Sequence, residues 1–227
     1  MEYLTFPVCI LRNSIVDIKE ALNMAMEYCL FSTSIEIIGS EDQKIQASRV
    51  KLGIKFGNIK KSFINGKKIY DSIPINSPKT SLRREMIFDF YNNYKTEFEL
   101  ITFLTFASIR SILQKQAYVK LTNNYLIGRM SGNNKINEPI NETIIKYSCR
   151  YQLDKIKTEL QLNWGLKLYA NHTRGFYVSF KMPLQDLIKQ AEIKRNKYKV
   201  KELQRHKKEA LNRALNCIKN ETYSQHL

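Results

Sequence analysis

The sequence predicts a mainly α-helical chain with a small β-hairpin, on three observations. Apolar residues recur at helical spacing over Ser14 to Phe31, over Glu97 to Leu113 and again from Leu184 onward. Two runs alternate apolar and polar residues at strand period, Leu166 to Ala170 and Phe176 to Phe180, with Asn171-His172-Thr173-Arg174-Gly175 as a turn-forming tip between them. Finally, Leu184 to Lys219 contains neither Gly nor Pro, which predicts one long helix or two with a break. The chain divides accordingly into a helical N-terminal region (1–79), a mixed region (80–182) and a basic C-terminal helix (183–227).

In the N-terminal region, Ile15, Ile18, Ala21, Leu22, Ala25, Met26, Cys29 and Leu30 lie on one helical face, with Ser14 as the expected N-cap. Ile45, Ser48, Val50 and Leu52 give a weaker period over Glu41 to Leu52. Gly53, Gly57 and Gly66 punctuate the next stretch of chain, and the two prolines of Ser72–Pro78 read as a linker. The run Gly57-Asn58-Ile59-Lys60-Lys61-Ser62 lacks the second glycine of a phosphate loop.

In the mixed region, Ser81 is the expected cap of a helix reaching Tyr94. Thr96 and Glu99 form a capping box for Glu97 to Leu113, a helix apolar almost all round and therefore central. Ala117 to Leu121 reads as a short strand. Thr122 then caps a brief helix through Met130, and Asn133 to Asn141 reads as a loop. Ser148 opens a further helix with Cys149, Leu153, Ile156 and Leu160 on its inner face. Trp164 is expected to close that helix against the hairpin.

Composition narrows the function classes. The 227 residues and 43% hydrophobic content suffice for one large domain or two small ones. No apolar run approaches the roughly 18 residues that span a bilayer, and Met1 to Pro7 lacks a secretion signal's basic-then-apolar pattern. Cys9, Cys29, Cys149 and Cys217 are widely spaced, and His172, His206 and His226 do not pair with them at ligand spacing. Neither a metal nor a cofactor is expected, and the thiols fit the cytoplasm. The net charge is +16. Residues 1–80 contribute only +3 of it, 81–180 contribute +6 and 181–227 contribute +7. Such a surplus suits a polyanion, nucleic acid before membrane. A solubilising surface, or a Lys-rich composition from an AT-rich genome, would also produce it.

The order helix, short strand, short helix, helix, hairpin resembles the winged helix-turn-helix superfamily. Ser148 to Trp164 stands as candidate recognition helix and Leu166 to Phe180 as wing. The loop before the recognition helix is longer than the superfamily's tight turn. The resemblance implies double-stranded DNA as partner, read by a helix in the major groove with the hairpin tip on flanking backbone or minor groove. On that reading Arg150 forks to a guanine, Tyr151 meets a phosphate or thymine methyl, and Ser148 holds a phosphate at the helix start, with Lys155 beside them. His172 and Arg174 project from the wing tip toward a narrow minor groove. Lys194, Arg195 and Lys197 open a dense basic cluster on the C-terminal helix that suits phosphates. The same helix offers an apolar stripe for homodimerisation or for packing on the body.

Each residue has a plainer role open to it. Arg150 and Lys155 can solvate an exposed face, with Lys155 pairing Glu159. Tyr151 can pack on the wing, and Arg174-Gly175 can be turn chemistry. No HExxH, GxSxG or histidine pair flanking an apolar residue is present, so an enzyme is not expected. The expectation is a sequence-specific DNA-binding protein, as transcription regulator or replication initiator of a bacterium, plasmid or phage. An RNA-binding module and a protein-interaction scaffold are the alternatives.

Overall fold

A computed structural model of the chain describes residues 2–55, 57–133, 138–170 and 175–224, with the backbone alone at 214 and 216–224. The chain is mainly helical, with small antiparallel sheets and a long C-terminal helix. Strand β1 (Tyr3–Pro7) pairs antiparallel with β2 (Lys79–Arg83), Tyr3 opposite Arg83 and Pro7 opposite Lys79. Leu4, Phe6 and Leu82 point into the core, while the Thr5 and Ser81 hydroxyls meet at 2.8 Å on the outer face. Ser81 thus sits mid-strand and caps no helix. The pairing partner across the sheet, not local propensity, decides its conformation. Pro78 accepts from Val8 N–H at 2.8 Å and Ser77 is buried, so the end of the proline segment packs on the body while Pro74, Ile75 and Asn76 are exposed.

A 3-10 helix (Val8–Asn13) leads into α1 (Ile18–Ile35). The cap is Asp17, whose side chain accepts from Glu20 N–H at 2.9 Å. Ser14, expected there, is buried at the end of the 3-10 turn. Helix α2 (Glu41–Leu52) opens on a Ser40/Gln43 capping box and stops at Gly53, whose φ of 65° is left-handed. Helix α3 (Ile59–Ser72) runs straight through the glycine-punctuated stretch. Gly66 lies inside it because α1 approaches so closely that a Cβ there would lie 2.1 Å from the Glu27 carbonyl oxygen.

Helix α4 (Arg84–Asn92) precedes α5 (Glu97–Leu113), which starts on the expected Thr96/Glu99 box. Ile101, Phe103, Leu104 and Ile109 are wholly buried, which makes α5 the central helix. Then come β3 (Val119–Leu121), α6 (Asn123–Met130), the single turn α7 (Glu142–Ile145), α8 (Arg150–Asn163), β4 (Lys167–Tyr169) and β5 (Phe176–Ser179). Strand β5 is the middle of a three-stranded antiparallel sheet in the order β3-β5-β4. Trp164 packs on Phe90 and Phe106, and Phe106 on Phe180, tying the end of α8 and the end of β5 to the central helices. One continuous apolar cluster runs from Leu4 to Val178, so the first eighty residues share their core with the mixed region.

Helix α9 (Leu184–Ser224) is unbroken, about 60 Å of helix at 1.5 Å per residue. Among its described side chains, those anchored lie in the first three turns. Leu187 and Ala191 pack with Tyr177, Tyr118 and Tyr169 on the outer face of the three-stranded sheet. From Asn196 onward every described side chain is exposed.

Candidate nucleic-acid interface

Helix α8 is positioned from below and from its flank. Leu153, Ile156 and Leu160 are buried against the core. Lys157 is 8% exposed and its Nζ donates to Asn123 Oδ1 at 2.8 Å, above the Phe176 ring. It therefore joins α8, the first turn of α6 and β5. With that side held down, Arg150, Tyr151, Asp154, Lys155, Thr158, Gln161 and Leu162 face outward.

The start of α8 differs from expectation by one residue. Cys149 is the N-cap, and no side chain caps it. The Ser148 hydroxyl turns backward and donates to the Ile145 carbonyl at 2.6 Å, at the end of the preceding turn α7. The first N–H groups of α8 thus point outward at the positive end of the helix, beside the Arg150 side chain. The Arg150 side chain is 91% exposed and Tyr151 is 75% exposed, so the tyrosine does not pack on the hairpin. Lys155 rests its ammonium 4.8 Å from the Phe98 ring centroid, while Glu159 accepts from Asn163. Asp154, the one acid in the middle of this surface, lies 3.6 Å from Arg150 Nε and 3.3 Å from Lys157 Nζ, which offsets its charge locally.

The outer stripe of α8 runs on beyond Lys155. Tyr151, Lys155, Thr158 and Leu162 succeed one another at i, i+4, i+7 and i+11, so helical period alone extends the outer stripe to Leu162. Lys157 has no such signal. A lysine buried by its neighbours' shapes looks like any exposed lysine in sequence.

His172 and Arg174 lie outside the described residues. Below the hairpin tip, Gly175 has φ of 101°, and a Cβ there would lie 2.3 Å from the Leu121 carbonyl oxygen. Glycine is therefore required where β5 meets β3. Arg129, in the last turn of α6, is only 7% exposed; it stacks on Tyr125 and donates to its hydroxyl at 2.8 Å. It is packing, not surface.

The three cations that open the basic cluster of α9, Lys194, Arg195 and Lys197, separate. Arg195 points at the body: its guanidinium lies 3.4 Å from Glu192, which also accepts from Tyr169 Oη at 2.7 Å. Glu192 fastens α9 to β4 through Tyr169, and Arg195, one turn along the same helix, pairs with Glu192. Lys194 lies over the Tyr118 ring at 4.3 Å with its residue exposed, and Lys197 is fully outward. Burial under α9, with Tyr198, Tyr118 and Glu192 nearby, pushes the Tyr177 phenol up from its ordinary value. Lys194, Lys197, Lys201, Arg205 and Lys208 form a row at i, i+3, i+7, i+11 and i+14 along one side of the arm.

Among the described residues no group of His, Cys, Asp and Glu is arranged to hold a metal ion, and no helix is long and apolar enough to cross a membrane. No protein-family model, no curated protein and no solved structure matches this chain.

Proposed function

We propose that this chain binds double-stranded DNA with a winged-helix unit, α8 reading the major groove and the hairpin of β4 and β5 lying on the flanking backbone. The observation that carries the reading is the outer face of α8. It has an uncapped N-terminus, an outward arginine, an exposed tyrosine and a neutralised acid, all on a helix whose opposite side is locked into the core. The order α5, β3, α6, the single turn α7, α8, β4, β5, with β5 between β3 and β4, supports it. So does the placement of α9. That helix covers the outer face of the hairpin sheet and leaves α8 open, whereas a scaffold would have its reading face occupied.

In this reading the exposed row from Lys194 and Lys197 to Lys208 contacts phosphates, and the protein is a cytoplasmic regulator of transcription or an initiator of replication. The exposed Val200, Leu203, Leu211 and Leu215 on another side of the arm provide a face for a second copy.

Fluorescence anisotropy with labelled duplex at a series of salt concentrations tests the proposal. Binding should weaken steeply with salt, and an Arg150→Ala/Tyr151→Ala/Lys155→Ala variant should lose selectivity among duplex sequences. No binding at low salt overturns the reading. Equal competition by single-stranded RNA would favour the ribonucleoprotein alternative.

A further inference from the structure

Charge is segregated on α3 in a way that its neighbours do not share. Its inner face, Ile59, Phe63, Gly66 and Tyr70, packs on α1, with the Tyr70 ring stacked on Tyr28 at 5.5 Å and Phe63 tilted against Phe31 at 5.3 Å. Close approach at Gly66 fixes the rotation of the helix about its own axis. That rotation sends Lys60, Lys61, Ile64, Lys67, Lys68 and Asp71 outward together. Four cations and one acid thus share one face of a 14-residue helix. Helix α2 mixes its signs instead, with Glu41 and Asp42 against Lys44, Arg49 and Lys51, and Lys51 is paired with Glu36 at 3.6 Å.

Two of the four cations sit in the first turn of α3, where no acid is present. That placement opposes the helix dipole, which disfavours cations at an N-terminus. Lys60 is relieved by Asp42 at 2.9 Å, across from α2. Lys61, Lys67 and Lys68 make no ion pair within 4.0 Å among the described residues. At Lys61, in the first turn, the cation opposes the dipole and an anionic partner relieves it, and Lys67 and Lys68 extend the charge over two turns, roughly 10 Å of helix.

We propose that this lysine face of α3 is a second polyanion-binding surface, which takes the phosphate backbone of duplex DNA. It rests on the reading of the chain as a DNA-binding protein and adds a contact on the N-terminal helices, remote in sequence from α8. Apart from Asp71 at its far end, the surface offers only lysine tips, so it adds affinity and salt dependence more than sequence choice.

The test is the slope of log affinity against log salt for a 30-base-pair duplex. A Lys61→Gln/Lys67→Gln/Lys68→Gln variant, which keeps the Lys60–Asp42 pair, should lower the magnitude of that slope by about 2 to 3, at roughly 0.9 per phosphate contact. Lys61→Arg/Lys67→Arg/Lys68→Arg should retain it. A control with three exposed lysines elsewhere, Lys19→Gln/Lys79→Gln/Lys189→Gln, should leave it unchanged. An unchanged slope in the α3 variant overturns this inference and leaves the α8 reading standing. A reduced slope in the α3 variant with no effect of the α8 triple variant upholds α3 and overturns the reading of α8. A slope lowered equally by the control overturns the inference by showing only a general charge effect.

Discussion

Lys157 Nζ lies 2.8 Å from Asn123 Oδ1, a hydrogen bond that joins α8 to the start of α6. The ammonium is nearly out of water and is shared with Asp154 at 3.3 Å and the Phe176 ring at 4.4 Å. Lys157→Met keeps the stem and removes the donor. The variant should lose about 1.5–3 kcal/mol in urea unfolding, the range for a hydrogen bond to a charged group. It should also bind duplex DNA more weakly under conditions where it is fully folded, because α8 loses its lateral anchor.

Gly66→Ala should destabilise the protein although alanine is the better helix former. The propensity gain is about 1 kcal/mol. Against it stands a Cβ 2.1 Å from backbone oxygen, which forces α1 and α3 apart along the most extensive contact between elements. Overpacking of this kind costs about 1–3 kcal/mol or more. The urea midpoint should fall, and a rise would show that the two helices part easily.

Acid should weaken the start of α5 first. Glu97 is held below its usual value by hydrogen bonds from Lys146 and Tyr147, Glu99 by the side chain and N–H of Thr96, and Asp89 by Lys95 and Asn93. All three have depressed folded values, so the unfolded chain binds more protons. Their stabilisation is complete above the ordinary carboxylate range, around pH 4 to 4.5, and is lost as pH falls through the lowered values. Thermal midpoints measured from about pH 6 to about pH 3 should drop on the acid side, and Glu99→Gln should flatten that drop.

The cysteines should differ sharply in reactivity. Cys29 is wholly buried, its thiol is pushed up to about 12 by desolvation, and it donates to the Thr5 carbonyl. Cys149 is exposed at the start of α8. A thiol reagent at about pH 8 should modify Cys149 in the folded protein and reach Cys29 only after denaturant is added. Duplex affinity should fall once a bulky maleimide occupies Cys149; unchanged affinity would remove the α8 N-terminus from the interface.

Ending the chain after Val200 should leave the folded body intact, since the described side chains beyond Arg195 are exposed. The thermal midpoint should stay nearly constant, while the salt dependence of DNA binding should drop with the loss of Lys201, Arg205 and Lys208. A collapse in stability would mean that the distal arm packs on the body.

Much of the helical framework was legible because its signals are local. The Thr96/Glu99 box and its apolar run placed Glu97–Leu113 to the residue, and Glu41–Leu52 likewise. The hairpin and the inner face of α8 came from period alone, as did the outward Arg150 and Tyr151. Helix α3 was hidden because Gly66 reads as a breaker until α1 is placed beside it.

The sequence by itself determined where α2, α5, α6 and α9 begin, which faces are apolar, and that charge accumulates toward the C-terminus. Those properties depend on residues within a turn or two of one another. Tertiary structure alone decided that Ser81 is in a strand, that Lys157 and Arg129 are buried, that Arg195 faces the body, and that four lysines of α3 share one open face. Most of those outcomes depend on a partner tens of residues away. Burial, and with it the meaning of a charge, is set by what packs alongside, not by what precedes it in the chain.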